Sequence, residues 1–311
     1  MVTKSKKKVK TSNRRNAAAK ETPAPAVLQP ANGSAPSTSN HEILRQMYAA
    51  MLKCRLMEER VRYENAMVGY EVTPWHEAVV IGACTDLSPE DTIAASSHNL
   101  AALIAMGASL RSLLKETATN GLAESRASVI SCRCAASGSI STAAFVADPF
   151  NLATGVALAH KLEKKTNVVV AFWDEDAASL EASQEALKFA SVHKLPILYV
   201  TRGGTQEEMG SRRHSALEEF SFVAKDYGFP SILVDGHDVV AVWRAAQESV
   251  HRARNGAGPT LIECQTEATS FPDPLAHMQH YMTKRGAWDD AWKQQLVAQI
   301  GAEIEAAAGL H

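Results

Sequence analysis

Apolar side chains recur at steps of three and four residues soon after residue 40 and predict the first helix of a folded body. They are Ile43, Leu44, Met47, Met51, Leu52, Leu56 and Val61. Residues 1–40 contain almost no large apolar side chain, so they cannot bury enough surface to offset the entropy lost on ordering. We therefore expect a disordered basic tail over residues 1–40 and one folded domain over residues 41–311.

Four short apolar runs without polar alternation are typical of strands covered on both faces. They occupy residues 167–173, 195–201, 231–234 and 259–263. Helical patterns lie between them at 177–192, 217–228 and 238–255, and the last is bounded by Asp238 and Gly256, as helix caps require.

This alternation of strand and helix predicts an α/β fold with a mostly parallel sheet and helices on both faces. Ligands of such sheets bind outside the carboxyl ends of the strands. We therefore expect the functional residues to follow Trp173 and Thr201.

Charge separates the tail from the body. The first 40 residues carry eight Lys or Arg and one acid, Glu21. Because the whole chain has 32 Lys and Arg and 34 Asp and Glu, the remainder holds 24 basic and 33 acidic side chains. The basic tail is compatible with contact to an acidic protein, a membrane surface or a nucleic acid, with a targeting leader, and equally with a solvated tail that has no ligand.

Five cysteines and no secretory signal favour a reducing compartment, and we expect a cytoplasmic protein. Cys132 and Cys134 form a C-x-C without a second pair or a nearby histidine, so two small residues in a loop or strand are favoured over a zinc site. No apolar run approaches the roughly 20 residues of a membrane span. We expect neither a membrane nor a nucleic acid among the partners of the body.

Seven phrases occur in a fixed order along the body. They are the helix with Arg55, Glu58, Glu59 and Arg60, then Trp75-His-Glu-Ala-Val-Val-Ile-Gly-Ala83, Leu152-Ala-Thr-Gly-Val-Ala-Leu-Ala159, Glu185-Ala-Leu187, Lys194-Leu-Pro196, Val234-Asp-Gly-His-Asp-Val239 and Gly258-Pro-Thr-Leu-Ile-Glu263. Through them, residues 44–298 resemble the alpha subunit of the thiamine-diphosphate-dependent dehydrogenase component of 2-oxo acid dehydrogenase complexes, which act on pyruvate, branched-chain 2-oxo acids or acetoin.

This resemblance implies a thiamine-diphosphate-binding fold and the oxidative decarboxylation of a 2-oxo acid, with acyl transfer to lipoyl groups. It implies thiamine diphosphate and Mg²⁺ as cofactors, a beta subunit in a heterotetramer of two alpha and two beta chains, and a lipoyl-bearing acyltransferase as a further partner. A chain of this length corresponds only to the half-site for the diphosphate. The helix over residues 152–162 is a candidate subunit interface.

The family holds Mg²⁺ and the diphosphate with G-D-G after one strand and N-N after the next. Asp174-Glu175-Asp176 and Gly203-Gly204 stand at those places, and the spacing from Glu175 to Gly204 equals that of the family. The resemblance thus assigns the metal positions to Glu175 and Gly204, whereas no catalytic residue is assigned. The cofactor-binding residues that it implies are Asp174, Glu175, Asp176, Ser179, Gly204 and His98.

These residues also depart from the family pattern. Asp174 and Asp176 replace glycines and place negative charge near the diphosphate, where a like-charge contact at 4 Å costs on the order of 4 kcal/mol at an effective dielectric of about 20. Gly204 has no side-chain oxygen, and Ser97-His98 stand where the family has Tyr-Arg. The segment after the last predicted strand keeps the family's acid and proline as Asp273-Pro274 but loses two arginines and a histidine.

Two functions therefore stay open. The chain is either a working alpha subunit, in which nearby cationic side chains restore positive charge, or a catalytically impaired pseudo-subunit with a scaffolding or regulatory role, in which they form salt bridges that fill the site. These cationic residues are Arg202, Arg212, Arg213 and His214.

Overall fold

The computed structural model describes residues 38–64, 75–96, 100–105, 107, 109–111, 113–114, 128–133, 140–145, 149–173, 180–203, 223–266 and 273–309. Its helices and strands, numbered in chain order, are α1 (Thr38–Glu64), α2 (Trp75–Cys84), β1 (Thr92–Ser96), α3 (Leu100–Ala105), β2 (Ser128–Arg133), β3 (Ile140–Phe145), α4 (Pro149–Leu162), β4 (Val169–Trp173), α5 (Leu180–Val192), β5 (Ile197–Gly203), β6 (Ser231–Asp235), α6 (Val239–Arg254), β7 (Thr260–Gln265), α7 (Pro274–Lys284) and α8 (Asp290–Ala308).

The strands form one sheet in the order β3-β2-β1-β4-β5-β7-β6. Neighbouring strands from β1 through β4, β5 and β7 to β6 are parallel, whereas β2 and β3 are antiparallel additions at one edge. The fold is therefore α/β with a mostly parallel sheet, which confirms the class expected from the sequence. The antiparallel pair was not predicted.

Alternate residues of the buried strands face opposite sides of the sheet. Val169, Ala171 and Tyr199 pack in one core with side chains of α4 and α5, while Val170 and Val200 pack in the other with α1, α2, α3 and α6. Both faces of the central strands are thus covered, which explains why their sequences are continuously apolar instead of alternating.

The predicted strands and helices agree with the structure to within a few residues where both are described. Asp238 accepts hydrogen bonds from the backbone N–H groups of Val240 and Ala241 and caps α6, as predicted. α1 begins at Thr38, three residues before the predicted start of the body. The predicted helix 217–228 is described only from residue 223, and there it has a helical turn over residues 223–226.

Asp91 organises the amino end of the sheet. Its buried carboxylate accepts hydrogen bonds from the backbone N–H of Ser88 (2.7 Å), the Ser88 hydroxyl (2.8 Å) and the backbone N–H of Val168 (2.8 Å). Arg254 at the end of α6 adds two more, at 2.5 and 3.2 Å. This one acid therefore connects the starts of β1 and β4 with the last turn of α6.

No helix in the described ranges is long and apolar enough to span a bilayer. Cys54, Cys84 and Cys264 are buried and free, and Cys132 lies in β2, whereas Cys134 lies outside the described residues. Among the residues that the structure describes, no group of His, Cys, Asp and Glu has the arrangement of a metal site.

Candidate functional site

The carboxyl ends of five parallel strands meet at one edge of the sheet, which we call the carboxyl edge. β1, β4 and β5 are neighbours there, and the registers pair Ala94 with Ala171 and Trp173 with Thr201. Adjacent strands lie about 4.8 Å apart. Residues 97–99, 174–179 and 204 follow directly from the last residues of β1, β4 and β5, so all three segments begin at the same edge.

The six residues that the sequence predicts as cofactor ligands lie outside the described part of the chain. They are His98, Asp174, Glu175, Asp176, Ser179 and Gly204, and the candidate cations Arg212, Arg213 and His214 lie outside it as well. Arg202 lies in β5, where the structure describes its backbone but not its side chain. The assignment of these side chains to a cofactor site stays a prediction.

The turn from β6 into α6 has a tightly packed glycine at the carboxyl edge. The N–H of Gly236 donates to the carbonyl oxygen of Gln265 at 2.6 Å, and a Cβ at Gly236 would stand 2.9 Å from that oxygen and 3.0 Å from Thr266 Cγ2. Since Cβ atoms do not approach backbone this closely, a larger residue would push β6 away from β7. The phrase beginning at Val234 therefore has a structural role.

His237 lies in the same turn, and its imidazole is buried. The Asp235 carboxylate accepts a hydrogen bond from the backbone N–H of His237 at 2.8 Å, and the same oxygen is 3.1 Å from Nδ1 of the ring. This pair fixes the direction of the ring at the end of β6. β6 is the edge strand of the sheet, two strands away from β5.

An ion network lies between α1, α2 and the start of α7, in which Glu77 is buried, Arg55 partly buried and Asp273 about half exposed. The Arg55 guanidinium donates two hydrogen bonds to the Glu77 carboxylate, from Nε to Oε2 at 3.3 Å and from Nη2 to Oε1, and one to Asp273 Oδ1 at 2.7 Å. Asp273 also caps α7 by accepting from the N–H of Leu275 at 3.2 Å. One arginine thus ties together three segments that are more than 20 residues apart in the chain.

This network lies toward the carboxyl edge. Asp273 begins α7, which is the next element after the carboxyl end of β7. On α2, Gly82 stands against Val239 and Val242, at the start of the helix that follows the carboxyl end of β6. Asp273, which the sequence carries at the family's acid position, is therefore held by the network.

Burial perturbs the acids beside Arg55. Glu77 is 1% exposed, and burial raises its pKa to about 8 although Arg55 opposes that rise. Glu58, one turn further along α1 and 6% exposed, has its pKa raised to about 7 by burial, again against the attraction of Arg55. Both groups therefore change charge near neutral pH, where ordinary carboxyl groups are fully ionised.

Sequence patterns did not single out this network as a unit. Arg55 and Glu58 look like ordinary charged positions of an amphipathic helix, and Glu77 is an acid in a first helical turn, which is common. Only the packing of α2 and α7 onto α1 brings them together. Arg55 and Glu58 lie among the apolar residues of the buried helical face, and this pattern could have indicated buried charged groups.

The three free cysteines that the structure describes lie in the core. Burial raises the pKa values of the Cys54, Cys84 and Cys264 thiols well above their usual range. A thiol must ionise to act as a nucleophile or a metal ligand, so these three cysteines are core residues.

Comparison with known proteins identifies the family. The family model described as "Dehydrogenase E1 component" matches residues 50–267. The alpha subunit of acetoin:2,6-dichlorophenolindophenol oxidoreductase from Bacillus subtilis is 32% identical over 227 residues, which cover 71% of this chain and 68% of that protein. The alpha subunit of the pyruvate dehydrogenase E1 component from Rhizobium meliloti is 28% identical over 264 residues, covering 81% and 75% of the two chains.

Similarity to solved structures extends to the fold. Two crystal structures of transketolase from Pichia stipitis superpose with TM-scores of 0.50 and 0.51 at 13% and 14% identity. Each match covers 86% of this chain but only 45% of the transketolase chain, so the chain spans about half the length of those enzymes. The architecture is that of the thiamine-diphosphate-binding fold.

The family model covers more than two thirds of the chain, its relatives include alpha subunits of acetoin and pyruvate dehydrogenases, and the sheet has the expected architecture. The chain therefore belongs to the dehydrogenase E1 component family, as a relative of its alpha subunits.

Proposed function

We propose that this chain is the alpha subunit of a 2-oxo acid dehydrogenase and contributes the diphosphate half of a thiamine diphosphate site. It would act with a beta subunit in the oxidative decarboxylation of a 2-oxo acid and pass the acyl group to the lipoyl groups of an acyltransferase. We place the assembly in the cytoplasm, as a heterotetramer of two alpha and two beta chains.

The observation that carries this proposal is the adjacency of β1, β4 and β5 in parallel. Their carboxyl ends lead directly into residues 97–99, 174–179 and 204, which contain all six residues that the family pattern assigns to the cofactor. In open α/β sheets, ligands bind in the crevice outside the carboxyl ends of the strands. Family membership supplies the identity of that ligand.

The donor set fits the cofactor only in part. Glu175 offers a carboxylate of the kind that Mg²⁺ prefers, and thiamine diphosphate supplies the carbanion chemistry when it is bound. Asp174 and Asp176 add two negative charges beside the expected diphosphate, and Gly204 offers no side-chain oxygen. We therefore expect weaker binding of the cofactor and a stronger dependence on Mg²⁺ than the G-D-G and N-N pattern would give.

Calorimetric titration of the complex with its beta subunit tests the proposal directly. Thiamine diphosphate should bind in the presence of Mg²⁺, and Glu175→Gln should weaken that binding about tenfold or more, because it removes the charged metal ligand. Glu248→Gln, at an exposed acid on α6, is the matched control and should leave binding unchanged. No heat of binding at millimolar cofactor would eliminate the enzymatic function.

A pseudo-subunit is the second candidate, and the substitutions Asp174, Asp176 and Gly204 favour it. In that case the chain would have a scaffolding or regulatory role in the same complex. The variant Asp174→Gly/Asp176→Gly/Gly204→Asn, which restores the family pattern, separates the two functions. Activity that appears only in this variant supports the pseudo-subunit, whereas decarboxylation by the unmodified complex rejects it.

One face of α4 supports assembly with another subunit. Gly155 and Ala159 are exposed on this helix, and a Cβ built on Gly155 has no atom within 4 Å. Small residues on an exposed helical face allow a neighbouring helix to approach closely. The segment 152–162, which the sequence suggests as an interface, therefore has room for a partner along this face.

A further inference from the structure

The last turns of α4 and α5 form a surface that neither the family comparison nor the proposed cofactor site explains. Three large apolar side chains are exposed there: Leu162 (73%), Val192 (71%) and Phe189 (41%). Five lysines lie on the same two helix ends: Lys161, Lys164, Lys165, Lys188 and Lys194. We call these eight residues the basic-apolar patch.

The two helix ends are held together as one unit. The ammonium group of Lys161 on α4 donates hydrogen bonds to the carbonyl oxygens of His193 (2.5 Å) and Lys194 (3.3 Å), which follow α5. The His193 ring packs on Phe189 with 4.3 Å between ring centroids. The patch is thus a preformed surface, since the Lys161 side chain connects its two halves.

The patch lies at the opposite end of the sheet from the predicted cofactor segments. α4 and α5 end at Leu162 and Val192, just before the amino ends of β4 and β5. A ligand of this surface would therefore contact the molecule without occupying the carboxyl edge. This inference does not depend on whether the chain binds thiamine diphosphate.

Backbone geometry gives two of the lysines an unusual position. Lys164 and Lys194 have φ values of +56° and +45°, and each occupies the left-handed position that ends its helix. The N–H of Lys164 donates to the carbonyl of Lys161, and the N–H of Lys194 to that of Ser191. Glycine is the usual residue at such positions, and a side chain there costs about 1 kcal/mol. Each helix thus ends with a charged lysine at a position where glycine would be more stable.

The charge of the patch is opposite to that of the body. Residues 41–311 carry a clear excess of acidic groups, but Glu163 is the only acid among residues 160–166 and 188–194, and it pairs with Lys165 at 2.6 Å. Protein docking sites usually combine exposed apolar side chains with charged groups at the margin. Rim lysines steer an oppositely charged partner toward it.

We propose that the basic-apolar patch docks an acidic, amphipathic helical segment of a partner protein. A second copy of the patch would oppose lysines with lysines, and the chain's own tail, with its eight basic residues, would be repelled as well. Nucleic acid sites combine basic groups with stacking aromatic rings, whereas two of the three apolar residues here are aliphatic. Three apolar side chains would insert much less apolar area into a lipid surface than the long apolar face of an interfacial helix does.

Fluorescence anisotropy with the full chain and a labelled peptide tests the proposal. The peptide has roughly 15 residues, with Leu at i, i+3 and i+7 on one helical face and Glu elsewhere. We expect saturable binding that weakens when salt is raised from about 0.05 to about 0.5 M, because screening suppresses attraction between exposed charges. A peptide of the same composition with its leucines dispersed around the helix should bind much more weakly.

Glycine substitutions give variants that remove charge without harming the fold. Lys164→Gly/Lys194→Gly removes two rim charges and relieves the left-handed strain, so this variant should be at least as stable as the parent and bind the peptide about three- to tenfold more weakly. Val192→Ser should weaken binding about tenfold by removing an apolar contact. Lys284→Gln, an exposed lysine at the end of α7, is the matched charge control and should change nothing.

Four results would overturn the proposal. The first is the absence of saturable binding up to millimolar peptide, and the second is an equal loss of binding in Lys284→Gln. The third is stronger binding to anionic phosphatidylglycerol vesicles or to duplex DNA than to the peptide. The fourth is a change in oligomeric state caused by Val192→Ser. The vesicle and DNA results would assign the patch to a lipid or a nucleic acid. The oligomer result would show that a copy of this chain or its complex covers the face.

Discussion

Two helical glycines should respond in opposite directions to the same substitution. Gly155 lies in α4, where an added Cβ has no atom within 4 Å, whereas a Cβ at Gly82 in α2 would stand 2.8 Å from Val242 Cβ and Cγ1 and 2.9 Å from the carbonyl oxygen of Val239. Alanine is favoured over glycine in a helix by about 1 kcal/mol at either position. Gly155→Ala should therefore stabilise the isolated chain by about that amount.

At Gly82 the added methyl group has no room. One of its contacts is backbone, and the Val242 side chain is itself fully buried, so α2 and α6 must separate. Overpacking of this kind costs about 1–3 kcal/mol and also disturbs the packing of the helix beneath the carboxyl edge. After the gain in helix propensity of about 1 kcal/mol, we expect a net destabilisation of up to about 2 kcal/mol.

Urea denaturation of the parent and both variants, followed by circular dichroism, measures these changes, with thermal melts as a second readout. One kcal/mol corresponds to roughly 2–4 °C in Tm for a domain of this size. A Gly82→Ala variant as stable as Gly155→Ala would refute the close packing of α2 on α6. If the exposed face of α4 is a subunit interface, Gly155→Ala should weaken assembly with a beta subunit, although it stabilises the isolated chain.

Three further predictions concern buried charges. Arg55→Gln should destabilise the fold by about 3 kcal/mol at pH 9, because Glu77 is ionised there and loses its partner. At pH 6 Glu77 is protonated, so the loss of stability should be clearly smaller. Urea midpoints that are equally shifted at both pH values would contradict this prediction. Burial raises the pKa of Glu58 to about 7 in the folded chain, so the stability it contributes is complete below its unfolded pKa, near 4.5, and is lost as pH rises through 7. Glu58→Gln should remove this pH-dependent loss of stability, which reaches about 3 kcal/mol at pH 8.5. If the free energy of unfolding of the variant depends on pH in the same way as that of the parent, the prediction is wrong. Asp91→Asn should cost about 2–4 kcal/mol, because one amide oxygen cannot replace a carboxylate that accepts from two backbone N–H groups and Arg254, and calorimetry should show the lowered Tm.

Much of the α/β body was predictable because its signals are local. Residues 168–173 and 197–200 within the first two runs are apolar at every position, and such continuous apolar runs are typical of strands covered on both faces. Asp238 and Gly256 mark the ends of α6 through capping chemistry that involves a few neighbouring residues. The antiparallel strands β2 and β3 escaped prediction because Ser, Thr, Cys and Ala there produce little apolar contrast.

The candidate site stays a prediction, based on segments that follow predicted strands. Since the carboxyl ends of parallel strands share one edge, the neighbouring strands β4 and β5 end together at that edge. The side chains expected to hold the cofactor stay predictions that depend on the family pattern. The ion network of Arg55, Glu77 and Asp273 could not have been assembled from the sequence, since nothing local relates residues that lie so far apart in the chain.

The sequence by itself determined the fold class, the family and the alternation of strands and helices from β4 to β7, because apolar periodicity, caps and short motifs depend only on near neighbours along the chain. Tertiary structure alone decided which strands lie side by side, which acids are buried beside Arg55, and which ends of α4 and α5 join into one basic surface. Those features arise from contacts between distant segments. Their energies come from burial and charge pairing, which exist only after the chain has packed.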